Sequence, residues 1–216
     1  MARGYQPKRR NSNDRKRHPI FVFALEGDNK TERLYLQQIA RELKGKINFH
    51  YAEGNETDPV AMMKALIEKA EQLEMTEGDF GFCLVDSDCD PSKNQLMGNA
   101  DKLAQDSTIG RIQQIVSSPC FEIWYLLHYT YSTALYNRST EVIDKLREQG
   151  CDYQKNKAGM FDRLRENHQK ACENARRLMK HCSDKGAKLH TTAYMPSTEV
   201  FLIFEHISRI CGHEFP

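Results

Sequence analysis

The chain has 216 residues, enough for one compact domain with an elaborated second half and a sizeable buried core. Its 31 Lys and Arg nearly balance 30 Asp and Glu, so net charge identifies no partner. A mean hydropathy of -0.70 and the lack of an apolar run suited to export or to spanning a bilayer argue against a membrane protein. Seven Cys, an odd number without framework spacing, point to reduced thiols and a cytoplasmic location.

Residues 1–18 are basic and polar and are expected to form a disordered arm. Arg9, Arg10, Arg15, Lys16 and Arg17 make it a candidate surface for a polyanion. The apolar run 20–25, IFVFAL, ends at Glu26 and Gly27 and reads as a strand buried on both faces. A helix with Leu34, Tyr35, Ile39 and Leu43 on one stripe follows, then a short strand over 47–51. Asp58 can cap the next helix and Pro59 suits its first position. Val60, Met63, Leu66, Ile67, Ala70 and Leu73 keep its period, and Gly78 ends the segment. The strand 80–85 then leads into Asp86, Asp88 and Asp90, followed by a helix near 94–106 and a strand over 111–116. This alternation predicts a Rossmann-like α/β core with a mostly parallel sheet and helices on both faces.

From Ser118 onward the pattern is helical. Ser118 and Pro119 read as a cap and first turn, with Phe121, Trp124, Tyr125 and His128 on one face. Further helices are expected over 139–148 and 160–183. A last one is opened by Pro196 and Ser197 and buries Val200, Ile203, Phe204 and Ile207. The expected division is a basic arm at 1–18, an α/β core at 19–117 and a helical region at 118–216 packed on that core.

Ligands of parallel sheets bind beyond the carboxyl ends of the strands, where Glu26 and Asp86 fall. An extended backbone would aim Asp88 to the same side as Asp86. Such oxygens suit a hard cation, Mg2+ or Mn2+, with Asp90 either joining them or serving only the loop before Pro91. The alternative is an Asx-type turn over 86–88. A calcium helix-loop-helix fits poorly, because its sixth position is Pro91 and its twelfth Met97. Glu122, between Phe121 and Ile123, needs a partner if buried; it is either a catalytic or second-metal residue, or a first-turn carboxylate favoured by the helix dipole. Arg176, Arg177 and Lys180 read as a phosphate-facing surface or as a solvated helix face. His168, Cys172, His181 and Cys182 match no common zinc spacing, His128 reads as core ahead of catalysis, and Thr31 and Glu32 as helix-starting residues ahead of a direct role.

The segments EGDNKTE (26–32) and VDSDCD (85–90), each after an apolar strand, resemble the Toprim domain. With SSPCFEIWYLLHY (117–129) and MPSTEV (195–200), the chain resembles the RloB-like family of bacterial proteins, associated with restriction and abortive-infection loci, over about residues 19–207. It departs from the family pattern at Met195, where Asn is more frequent, and in Ala24-Leu25 before Glu26. The resemblance implies a Toprim-like fold and a metal-dependent nuclease acting on RNA, tRNA among the candidates, or on DNA in phage defence. Asp86 and Asp88 would hold the metal, with Glu26 as proton acceptor or further ligand. The basic residues above would hold nucleic acid, and partner proteins of a defence locus or further copies of the chain would join it. Two alternatives stand. A haloacid-dehalogenase-type phosphatase also uses Asp-x-Asp, but after its first strand, and gives Glu26 no role; a non-catalytic nucleic-acid-sensing subunit is the other.

Overall fold

The computed structural model describes residues 17–27 and 30–216. The arm before Arg17, with Arg9, Arg10, Arg15 and Lys16, lies outside the described residues. Four strands, β1 (Ile20–Ala24), β2 (Asn48–Tyr51), β3 (Phe80–Asp86) and β4 (Arg111–Ser118), alternate with helices α1 (Lys30–Glu42), α2 (Pro59–Gln72) and α3 (Lys93–Asp106). The sheet order is β2-β1-β3-β4-β5, the first four parallel; β5 (Ser197–Thr198) is antiparallel to β4. The expected α/β architecture is therefore present, and it is consistent with a Rossmann-like fold.

β1 is buried throughout because each face of the sheet carries its own apolar layer. Phe21 and Phe23 point into an aromatic layer with Phe80 and Phe82, covered by α1 and the C-terminal helices. Ile20, Val22 and Ala24 point the other way, onto Met63 and Leu66 of α2 and Met97 of α3. Asp58 caps α2 as expected, accepting from the Ala61 amide at 2.9 Å.

The second half contains α4 (Glu122–Leu127), α5 (Ser139–Glu148), α6 (Met160–Leu164), α7 (His168–Asp184) and α8 (Phe201–Cys211). A hydrogen bond from Trp124 Nε1 to Tyr35 Oη, 2.8 Å, ties α4 to α1. The aromatic layer draws on residues from both halves. Among the described residues no helix is long and apolar enough to cross a membrane.

Three expected elements differ. Ser118 does not cap a helix; it ends β4 opposite Ser197, and α4 opens only at Glu122. Pro196 and Ser197 do not open the last helix. Ser197 and Thr198 are drawn onto the edge of β4, whose polar groups would otherwise face solvent: the Glu199 amide donates to Val116 O at 3.1 Å, and Glu199 Oε2 accepts from Val116 N at 2.9 Å. The span 160–183 divides at a 3-10 turn, Arg165–Asn167, that redirects the chain between α6 and α7. His190, in the loop before β5, bridges Asp101 of α3 and Glu199 and so anchors that loop.

Candidate functional site

The strand order reverses between β1 and β3, where an open α/β sheet leaves a crevice beyond its carboxyl ends. Glu26 follows β1 there, and Gly27 turns the chain at once with φ 48°, its amide donating to Glu56 O at 2.9 Å. A side chain at Gly27 would be strained by that φ, so glycine lowers the cost of the turn that presents Glu26.

Asp86 ends β3 opposite Ser117. Beyond it the backbone is not extended, as the alternation of acids suggested. Asp88 and Cys89 are both left-handed, with φ 51° and 56°. This tight turn is pinned from outside by the Ser87 amide to Ser117 O and the Asp88 amide to Pro119 O, both 2.9 Å. The Cys89 thiol also donates to Tyr136 O at 3.2 Å. Left-handed conformations cost about 1 kcal/mol or more for such residues, so the turn persists because its surroundings impose it.

Glu26 and Asp88 meet on a cation that sequence reasoning passed over. Lys93 Nζ lies 3.0 Å from Glu26 Oε1, 2.6 Å from Asp88 Oδ2 and 3.0 Å from the carbonyl oxygen of Asp86. Its signal was faint but present: it is the one base between Lys69 and Lys102, at the start of α3. Burial opposes the ammonium, but the hydrogen bond to Asp88 and the charge of Glu26 raise its pKa.

Asp86 is the centre of a wider carboxylate group. Burial, then the charges of Glu32, Glu122, Glu26 and Asp88, push its pKa well above the ordinary carboxylate range. Glu32, read from sequence chiefly as starting α1 with a direct role second, is buried and its pKa is raised to about 8, first by burial and then by Glu122 and Glu26. Glu26 is also raised, chiefly by burial, with Lys93 pulling the other way. Glu122 is 4% exposed at the start of α4 and accepts from Tyr153 Oη at 2.5 Å, which supplies the partner its apolar setting demanded. The stretch after Tyr153 is pinned to α1 through the Asn156 amide and Thr31 Oγ1, 3.3 Å, and the charge of exposed Lys155 acts on Glu26 and Glu32.

The structure thus gathers Glu26, Asp86, Asp88 and Glu122 around one crevice, with Glu32. Asp90 does not join them: its carboxylate accepts from the Ser92 amide at 2.9 Å, the Ser92 hydroxyl and then this amide hold its pKa low, and its side chain is exposed. Among the described residues no three His, Cys, Asp or Glu side chains form a ready ligand shell; the cation in place is the lysine ammonium. Oxygen donors only, crowded enough to raise one another's pKa, are the chemistry of a hard-cation site.

Of the basic residues singled out from sequence, the described ones, Arg17, Arg176, Arg177 and Lys180, lie elsewhere. Arg17 bonds Asp79, just before β3, and the carbonyls of Leu73 and Glu74, so it sits at the opposite end of the sheet. Arg176 pairs with Glu205 at 2.7 Å, Lys180 with Asp184 at 2.9 Å, and Arg177 lies over the Tyr131 ring at 3.9 Å. A cleft of about 480 Å³ between α7 and α8 has none of the crevice carboxylates in its lining. His168 and Cys172 are 3.6 Å apart in the aromatic core, while Cys182 turns to Pro196 O. His128 is buried with Nδ1 on Trp124 O at 2.8 Å, and burial lowers its pKa to about 4.

The fold and this crevice define an α/β protein of Rossmann-like design, with a carboxylate-rich mouth at the point where the strand order turns. The model of the RloB-like protein family matches residues 21–207, and the chain belongs to that family. Comparison with curated proteins and with solved structures finds no match.

Proposed function

We propose that the chain is a nuclease, dependent on Mg2+ or Mn2+, that hydrolyses phosphodiester bonds of RNA, tRNA among the candidates, or of DNA. The carrying observation is half-buried Asp86, whose carboxyl feels the charges of Glu26, Glu32, Asp88 and Glu122 at the mouth of the sheet. So many carboxylates cannot all ionise together without a cation among them. Asp86 and Asp88 would hold the metal, with Glu26 beside them. When bound, a divalent ion neutralises charge on phosphate oxygens and makes water more acidic.

The chain's own groups supply the rest. Glu26, its pKa raised by burial, is a stronger base than an ordinary carboxylate and is suited to accept a proton from attacking water. Lys155, exposed beside the crevice, is placed to attract the substrate backbone. Tyr153 holds Glu122 oriented toward the group rather than catalysing. The setting in bacterial phage defence, with proteins of a defence locus as partners, rests on the family resemblance alone.

The test is hydrolysis of end-labelled RNA, DNA and tRNA by the purified chain with Mg2+ or Mn2+, against chelator and against Asp86→Ala. Cleavage that needs the metal and is lost in Asp86→Ala supports the reading. Binding without cleavage of any of the three substrates would make the chain a sensing subunit instead.

A further inference from the structure

A flexible lysine side chain brings its ammonium to three oxygen acceptors at the crevice: carboxylate oxygens of Glu26 and Asp88 and the main-chain oxygen of Asp86, at 2.6 to 3.0 Å. An ammonium has three donors, so Lys93 is fully satisfied there. Its side chain is only 14% exposed, and Asp88 and Glu26 are 49% and 20% exposed, so the contact closes over the inner part of the group. The proposed function assigns the Asp88 carboxylate to a divalent ion and sets Glu26 beside it, and one oxygen cannot serve both cations at full strength.

Resting on that reading of the site, we infer that Lys93 is an exchangeable internal cation: its ammonium holds the metal-free crevice together and must leave Glu26 and Asp88 for a divalent ion to bind. The lysine suits this better than arginine would, since it is a compact charge on a four-carbon stem, free to swing without moving α3. The exchange sets a threshold for metal loading, because the incoming ion must displace a charge-assisted contact. It also frees a positive charge at the mouth, where a substrate phosphate approaches. Every bond exchanged is non-covalent, and the ammonium keeps its protons throughout.

The test compares the wild-type chain with Lys93→Met, which keeps the stem and removes the charge, and with Lys155→Met, which removes a nearby charge that makes no such contact. Mg2+ and Mn2+ binding is measured by calorimetry and melting temperature with and without metal. Exchange predicts divalent binding about tenfold tighter in Lys93→Met, the size expected when a charge-assisted competitor is removed. Lys155→Met should change it by less than about threefold, as expected of a screened surface charge. Metal-free Lys93→Met should melt below the wild type, and saturating metal should close that gap. Equal or weaker binding in Lys93→Met, or an equal effect of Lys155→Met, overturns the exchange while leaving the metal reading intact; absence of binding in all three removes both. Should Lys93→Met not fold, the wild-type chain decides the matter. Acetylation of Lys93, read by peptide mass, should be slow in chelator and rise on adding Mg2+, with Lys145 as an unchanging control. Continued protection of Lys93 while calorimetry shows binding would overturn the inference.

Discussion

Replacing His190 by Ala tests how the C-terminal half is fastened to the sheet. The imidazole Nδ1 lies 2.8 Å from both carboxylate oxygens of Asp101, and Nε2 lies 2.8 Å from Glu199 Oε2. Glu199 in turn accepts from the Val116 amide of β4, so one ring connects α3, the loop before β5 and the sheet edge. Burial disfavours the imidazolium, but hydrogen bonds to Asp101 and Glu199 and their charges overcome this and raise its pKa from 6.5 to about 10. At about 1.4 kcal/mol per pH unit, that rise sets a ceiling of about 5 kcal/mol on what the charged ring contributes. Asp101 is 29% exposed, and solvent there reduces the expected loss to about 2 to 4 kcal/mol. For a domain of this size that is a fall of about 5 to 15 °C in melting temperature.

The pH dependence fixes the sign. A group whose pKa is raised by folding stabilises fully below its unfolded value, and the benefit declines as pH rises, vanishing above the folded one. The gap between the wild-type chain and His190→Ala should therefore be largest below pH 6.5 and nearly closed above pH 10, read by thermal or urea unfolding at both ends. An unchanged melting temperature, or a gap of the same size at both pH values, would refute the account of a charged clamp.

Asp79→Ala should destabilise by about 1 to 3 kcal/mol, since it strands the buried Ile20 amide and removes two bonds from exposed Thr76, yet leave divalent-metal affinity unchanged because it lies at the far end of the sheet. Unfolding curves beside metal calorimetry would check this, and weakened metal binding would contradict it. Glu32→Gln should raise the stability of the metal-free chain by about 2 to 4 kcal/mol at pH 8 and by nothing below pH 4.5. The raised pKa means that stability falls as pH climbs between those values in the wild type, and a difference independent of pH would count against it. Asp88→Asn should abolish cleavage while nucleic-acid affinity, read by fluorescence anisotropy in chelator, stays equal or increases; a large loss of affinity would argue against a phosphate facing this residue.

Much of the core was legible because period carries burial. The run 20–25 could only be a strand covered on both faces, and Asp58-Pro59 before a helical stripe could only start α2. Placing Glu26 and Asp86 together needed only strand direction and the rule that loops gather at the carboxyl ends. Where local pattern misled, at Ser118 and at Pro196-Ser197, the cause was an open sheet edge elsewhere in the chain whose hydrogen bonds outweighed helix-start preference. The described basic residues show a related limit of linear pattern. Charge density along a chain does not reveal partners, and Arg17, Arg176 and Lys180 each have a carboxylate or carbonyl of their own.

The sequence by itself determined the layered α/β core, the family and the acidic strand ends, since these follow from spacing within single segments. Only the tertiary structure decided that Lys93 stands between Glu26 and Asp88, that Glu32 and Glu122 crowd Asp86, and that Asp90 turns away to its own loop. Those outcomes depend on distances between groups far apart in the chain and on how much water burial removes, neither of which a linear pattern encodes.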